Sequence, residues 1–220
     1  MKKTFVFTAV IVLCVACNSG PKTDKAAVTD KLEVAQADGD IYPINHASLV
    51  TWQGSKPTAT HTGTFTLKEG SFLVNDHQLT GGNFIIDITS LNNLDLASDP
   101  ENKKKLEGHL KSPDFFDAAI YPTAKFEITK VTPITPEEAR DAILKDATHM
   151  VQGNFTLKDS TKSIHFPALV TIDDKTATAT AEFNIDRSQW GLNYKGPNHP
   201  QDWFISKEVH IKLAISAAKK

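Results

Sequence analysis

Eight histidines, one arginine close to a tryptophan, and a cysteine at the end of an apolar leader are the residues whose chemistry can be argued from type and spacing. Metal binding comes first. His46, His61, His77, His109, His149, His165, His199 and His210 are scattered, and none pairs with another at the short spacings of common zinc motifs. No metal and no cofactor is therefore expected. Catalysis fares no better: there is no Gly-x-Ser-x-Gly elbow, no phosphate-cradling loop and no dinucleotide fingerprint. Asp and Glu are dispersed along polar strand faces rather than set as a matched acid and base, so the chain reads as a non-enzyme.

Recognition of a head group is the chemistry that Arg187 could supply. Its planar fork of donors suits a phosphate, pyrophosphate or carboxylate, and Trp190 stands three residues on. The competing reading is an ion pair with Asp186 or another strand carboxylate, plus stacking on Trp190. His109 has the same two faces: a hydrogen bond to a ligand head, or the fixing of a helix-to-strand loop, with the second favoured. Phe115 and Phe116 are adjacent, so in extended chain they face opposite ways. One closes the end of the domain, and Phe116 is placed with His109, Arg187 and Trp190 at the opening. Trp52 and His61 read as packing residues at strand ends.

Cys17 sets the compartment. Met1-Lys2-Lys3 is a basic start, and Phe5 to Ala16 is apolar almost without interruption. That run is too short to span a bilayer core, which fits a signal peptide. It ends in Leu13-Cys14-Val15-Ala16-Cys17, which resembles the bacterial lipobox. The resemblance implies cleavage before Cys17, a lipid on its sulfur, and anchoring in the cell envelope on the periplasmic or cell-surface side. Cys17 is then the only thiol left, so no disulfide can staple the fold. Losing Lys2 and Lys3 takes the 24 basic residues to 22, against 26 acidic ones. A mildly acidic surface argues against nucleic acid.

The elements that position these residues announce themselves by alternation. Ala177, Ala179, Ala181, Phe183 and Ile185 fall on one face of their segment, as do Val209, Ile211, Leu213 and Ile215. Phe84/Ile86/Ile88, Ala124/Phe126/Ile128 and Ile164/Phe166/Ala168/Val170/Ile172 repeat the pattern. A period of two means strands with one buried face and one wet face, and wet outer faces exclude a parallel sheet covered by helices. Turns are expected at Lys68-Glu69-Gly70, Asn75-Asp76, Asp159-Ser160 and Asp173-Asp174-Lys175. Ser98-Asp99-Pro100-Glu101, with Ser98 as cap, and Thr135-Pro136-Glu137-Glu138 predict two short helices. The chain divides into a signal peptide over 1–17, a flexible tether over 18–40 and a domain over 41–220. Gly63-Thr64-Phe65-Thr66-Leu67-Lys68 is echoed by Gly153-Asn154-Phe155-Thr156-Leu157-Lys158, which two strands with the same inward pattern explain.

About eight such strands make a sandwich or a closed barrel. Three successive inward alanines, Ala177, Ala179 and Ala181, leave volume unless the phenylalanines opposite fill it.

Leu106-Glu107-Gly108-His109-Leu110-Lys111-Ser112-Pro113-Asp114-Phe115-Phe116-Asp117, followed by Tyr121-Pro122-Thr123-Ala124-Lys125-Phe126, resembles the signature of the YceI-like family. Ser48-Leu49-Val50-Thr51-Trp52, His61-Thr62-Gly63 and Asp186-Arg187-Ser188-Gln189-Trp190-Gly191 match in order on either side. Asn45 stands where the family often has Asp, and Thr132 to Ala147 is longer than the usual connection. The resemblance implies a lipocalin-like antiparallel eight-stranded β-barrel, all-β with one or two short helices. It also implies an apolar tunnel holding an isoprenoid or acyl lipid, and a protein that is often a homodimer. The expected cavity lining is Phe65, Leu67, Phe84, Ile86, Phe126, Phe155, Phe166, Ala179 and Phe183. The alternative is a tethered interaction module whose barrel is filled by its own side chains.

Overall fold

Alternating sequences of this kind bury one face when two sheets pack together or when one sheet closes on itself. The computed structural model, which describes residues 21–34, 36–196 and 205–219, shows that closure. Twelve strands are numbered in chain order. Four are short: β1 (Asp24–Lys25), β2 (Ala27–Asp30), β3 (Asp40–Pro43) and β7 (Asn92–Asn93). The other eight form the wall: β4 (Leu49–Lys56), β5 (Ala59–Asn75), β6 (Gln78–Asp87), β8 (Thr123–Pro133), β9 (His149–Leu157), β10 (Ser160–Ile172), β11 (Thr176–Asp186) and β12 (Glu208–Ala218). They pair antiparallel in the order β11-β12-β4-β5-β6-β8-β9-β10, and β10 returns to β11 to close the barrel. The helices are α1 (Pro100–Lys111) and α2 (Pro136–Asp141).

Antiparallel pairing of all eight wall strands sorts the connections between two ends. One end carries the β4–β5 and β9–β10 hairpins, the β6–β8 connection with α1, and the β11–β12 connection. The other carries the β5–β6 and β10–β11 turns and the β8–β9 connection with α2.

Several expectations are corrected in detail. Lys68-Glu69-Gly70 is not a turn, because β5 runs through it with a register shift between Leu67 and Glu69. A bulge bends a long strand without ending it, as a curled wall requires. Asp99, not Ser98, caps α1, accepting from the Asn102 N–H. The Thr135 capping box of α2 is present with both of its bonds. Asn45 makes the local bonds open to an amide, accepting from Ala47 N–H at 2.9 Å and donating to Ser216 Oγ at 2.8 Å. The hexapeptide echo has a packing cause. A Cβ on Gly63 would lie 2.5 Å from the Trp52 ring, and one on Gly153 would lie 2.4 Å from the Phe126 ring. Each glycine lets an aromatic ring of the neighbouring strand lie across it.

The largest correction concerns the tether. The leader and Cys17 lie outside the described residues, but residues 21–34 and 36–40 do not hang free. β10 and β11 pair directly only where Leu169–Ile172 meets Ala177–Thr180. Beyond that they diverge, and the N-terminal arm occupies the seam. β1 pairs parallel with β11 at Phe183 and Asn184, and β2 pairs antiparallel with β10 from Lys162 to His165. Ala26, between them, is 3% exposed and part of the core. Strands of two and four residues carry too little alternation to be read in sequence, and they form because diverging edges leave backbone groups to pair.

Farther along, the Asn154 amide is 2% exposed and holds the arm at Leu32. It accepts from the Leu32 N–H at 3.0 Å and donates to the Leu32 carbonyl at 2.7 Å. Asp24 accepts from the N–H groups of Ile143 and Leu144 at 2.8 and 2.9 Å, so the connection after α2 clasps the arm. Asn154→Ala removes both Leu32 bonds and is expected to cost about 1–3 kcal/mol. Hydrogen exchange should report it: faster exchange confined to residues 22–34, with the barrel amides still protected. Equal loosening of both would show that the arm is not a separable unit.

Candidate functional site

The inward faces of the eight wall strands enclose a cavity of about 410 Å³, within the usual span for small-molecule sites of roughly 300–1,000 Å³. All nine residues expected to line it do so: Phe65 and Leu67 of β5, Phe84 and Ile86 of β6, Phe126 of β8, Phe155 of β9, Phe166 of β10, and Ala179 and Phe183 of β11. Ala179 and Ala181 leave the space and the phenylalanines do not fill it. Phe166 stacks on Phe183 with ring centres 4.1 Å apart and lies 5.9 Å from Phe126. These rings pair along the wall rather than across the lumen. A barrel filled by its own side chains is therefore not what the chain builds. Phe72, Leu79, Ile128 and Ile215 bound the deep end. Tyr42, Val74, Ala177 and Ala217 are buried in the core without lining the cavity.

The opposite end is the opening. Its rim comprises Lys56 and Ala59 of the β4–β5 hairpin, Leu106, His109 and Leu110 of α1, and the chain around Leu192, Tyr194, Ile205 and Ser206. From Val209 to Ile215, β12 follows the cavity wall for roughly 20 Å at ~3.3 Å per residue. Polar groups gather at this rim, while the deep wall is hydrocarbon.

Asn93, which the sequence did not single out, fixes α1 over the opening. It is fully buried; its N–H donates to Glu107 of α1 at 2.7 Å, and its side-chain oxygen accepts from Leu96 N–H. Its amide also donates to Asp95, which accepts from Thr62 N–H and pairs with His61 at 2.8 Å. Burial pushes the Asp95 carboxyl up, but those hydrogen bonds outweigh it and hold the group below the usual carboxylate range.

His109 lies at the rim and also fixes its own loop. Its Nε2 is 3.0 Å from Asp114, and its ring meets Phe115 and Tyr194 edge-on. Phe115 and Phe116 both line the cavity, contrary to the opposite-faces expectation, because they sit in a turn rather than in extended chain. Phe116 packs edge-on against Phe65 at 5.5 Å.

Arg187 and Trp190 are corrected. Arg187 touches the cavity but is 5% exposed, and its donors are taken by main-chain carbonyls. Nε donates to Ser206, one terminal nitrogen to Leu192, and the other to Tyr194 and Ile205 at 3.0 Å each. Burial lowers its pKa, partly offset by the neighbouring Asp186 charge. The fork binds the returning chain, not a head group. The ion pair expected with Asp186 is also replaced: Asp186 takes Lys207 at 3.1 Å and accepts from Ser188. Burial raises the Asp186 carboxyl, and these partners more than reverse the rise. Trp190 is 1% exposed and does not line the cavity. Its indole donates to the Phe155 carbonyl at 2.9 Å, so it meets the cavity only through Phe155. Proximity in sequence put it at the opening; an indole long enough to reach past β10 to β9 takes it elsewhere.

Among the described residues, no three His, Cys, Asp or Glu side chains cluster as metal ligands, and no helix is long and apolar enough to cross a membrane.

Comparison with known proteins adds the following. The model of the YceI-like domain matches residues 42–217. Among solved structures, BcnA of Burkholderia cenocepacia is similar at 21% identity with a TM-score of 0.59, over 78% of this chain and 96% of that one. A polyisoprenoid binding domain from Saccharophagus degradans, implicated in plant cell wall breakdown, is similar at 17% identity with a TM-score of 0.56. That likeness covers 81% of this chain and 98% of that one. A search of curated proteins gave no match. At these identities the two structures speak for the fold.

Proposed function

The chain belongs to the YceI-like family, and from that premise we propose that it carries or sequesters the apolar chain of an isoprenoid or acyl lipid inside its barrel, without chemistry. One observation carries the reading: an apolar lumen whose polar rim lies at one end only. The similarity to a polyisoprenoid binding domain supports the same class of ligand. A linear chain suits such a lumen because its gain is burial, about 0.8 kcal/mol for each methylene removed from water. The binding residues in this reading are the nine wall residues from Phe65 to Phe183 named above, with His109 and Phe116 at the opening. The basic, apolar and cysteine-terminated leader supports anchoring through Cys17 in the cell envelope.

The full-length chain, purified and extracted with organic solvent, should yield a stoichiometric lipid by mass spectrometry. After delipidation, linear alcohols of increasing length should bind about fourfold tighter per added methylene, until the lumen is used up and the series levels off. A protein that holds no lipid and shows no dependence on chain length would end the proposal.

A further inference from the structure

The side chains around the opening carry information about the end of the ligand that stays outside the lumen; this inference rests on the lipid-binding reading. Among the described residues, five side chains of ordinary basic type line the cavity, Lys56, His61, His109, Arg187 and Lys195, and no Asp or Glu does. That asymmetry stands out in a chain with more acidic than basic residues.

Three of the five are engaged within the protein. Arg187 donates to four carbonyls, His61 pairs with Asp95 and His109 with Asp114. Lys56 and Lys195 remain. Among the described residues neither has a carboxylate within ion-pair distance, and Lys195 has only the Tyr194 ring, 5.5 Å from its nitrogen. Backbone bonds tie the two to one side of the rim. Ser206 N–H donates to the Ser55 carbonyl at 2.8 Å, beside Lys56, and Ile205 N–H donates to the Lys195 carbonyl at 2.7 Å. Lys56 and Lys195 therefore flank the same short stretch, Ile205–Ser206, above an apolar lumen.

We infer that Lys56 and Lys195 select a ligand with an anionic head, a phosphate or a carboxylate, held at the opening while its apolar chain fills the barrel. Two ammonium groups beside one opening attract an anion and disfavour a cation. Their placement at the rim keeps them hydrated, so they discriminate between heads without adding a buried charge to the lumen.

The test uses the delipidated full chain and two matched pairs of probes, farnesyl phosphate with farnesol, and palmitate with hexadecanol. The anionic member should bind on the order of tenfold tighter than its alcohol, the scale of one or two charge-assisted contacts. Raising the salt concentration should shrink the gap. The double variant Lys56→Gln/Lys195→Gln should close it, leaving the two alcohols bound as before. A gain for phosphate alone identifies a phosphorylated lipid, and a gain for both identifies any anionic lipid. Equal binding of acid and alcohol, or a gap that survives in the variant, overturns the inference while the lumen reading stands. If no probe binds at all, the lumen reading falls and takes this inference with it.

Discussion

Ala179→Phe with Ala181→Phe should weaken binding of an apolar chain on the order of a hundredfold while leaving the barrel folded. Both alanines face the lumen from β11, paired with Ile215 and Leu213 of β12. A ring at each place occupies space that the ligand would otherwise use. Excluding about four methylenes of contact removes roughly 3 kcal/mol, which is two decades in Kd. Enlarging a side chain in a solid core usually costs 1–3 kcal/mol. Here an open lumen receives the rings, so thermal stability should change little or rise. Titration of the delipidated variant with palmitate, beside its melting curve, reads both quantities. Unchanged affinity in a folded variant would place the ligand outside the barrel.

Why the lining was legible and the opening was not comes down to the reach of each signal. Strand alternation is local and repeats in every segment, and the same arithmetic that gives eight strands gives the inward side of each. Phe65, Phe126, Phe155 and Phe183 could be assigned to the lumen from parity alone. The rim is assembled from three connections far apart in sequence, and no period links them. Lys56 lies at a hairpin and Lys195 in the β11–β12 connection; only the bonds through Ser206 and Ile205 bring them together. Asn93 was equally silent, because a buried asparagine is defined by the partners it satisfies. The arm was misread for a related reason: its residues are polar enough for a linker, and its order comes from the unpaired edges of β10 and β11. Short motifs did succeed where their chemistry is self-contained, as in the Thr135–Glu138 capping box.

Arg187→Met should destabilise the fold by about 3–5 kcal/mol, with the loosening centred on the opening. A buried guanidinium normally answers a carboxylate, and here it answers the carbonyls of Leu192, Tyr194, Ile205 and Ser206. It thereby joins the chain leaving β11 to the chain entering β12. Methionine retains much of the length but none of the donors. The orphaned carbonyls then either stay buried unpaired, at about 1–3 kcal/mol each, or pull the rim open to water. Lys is only a partial rescue, since a single ammonium cannot address four acceptors spread around a planar fork. Denaturant unfolding at constant slope should give the loss directly, with Arg187→Lys falling between the two. The discriminating measurement is hydrogen exchange in the weakened variant: the amides of Leu192, Ile205 and Ser206 should lose protection first, while those of β9 and β10 keep theirs. Even loss throughout the barrel would show that Arg187 does not act on the opening.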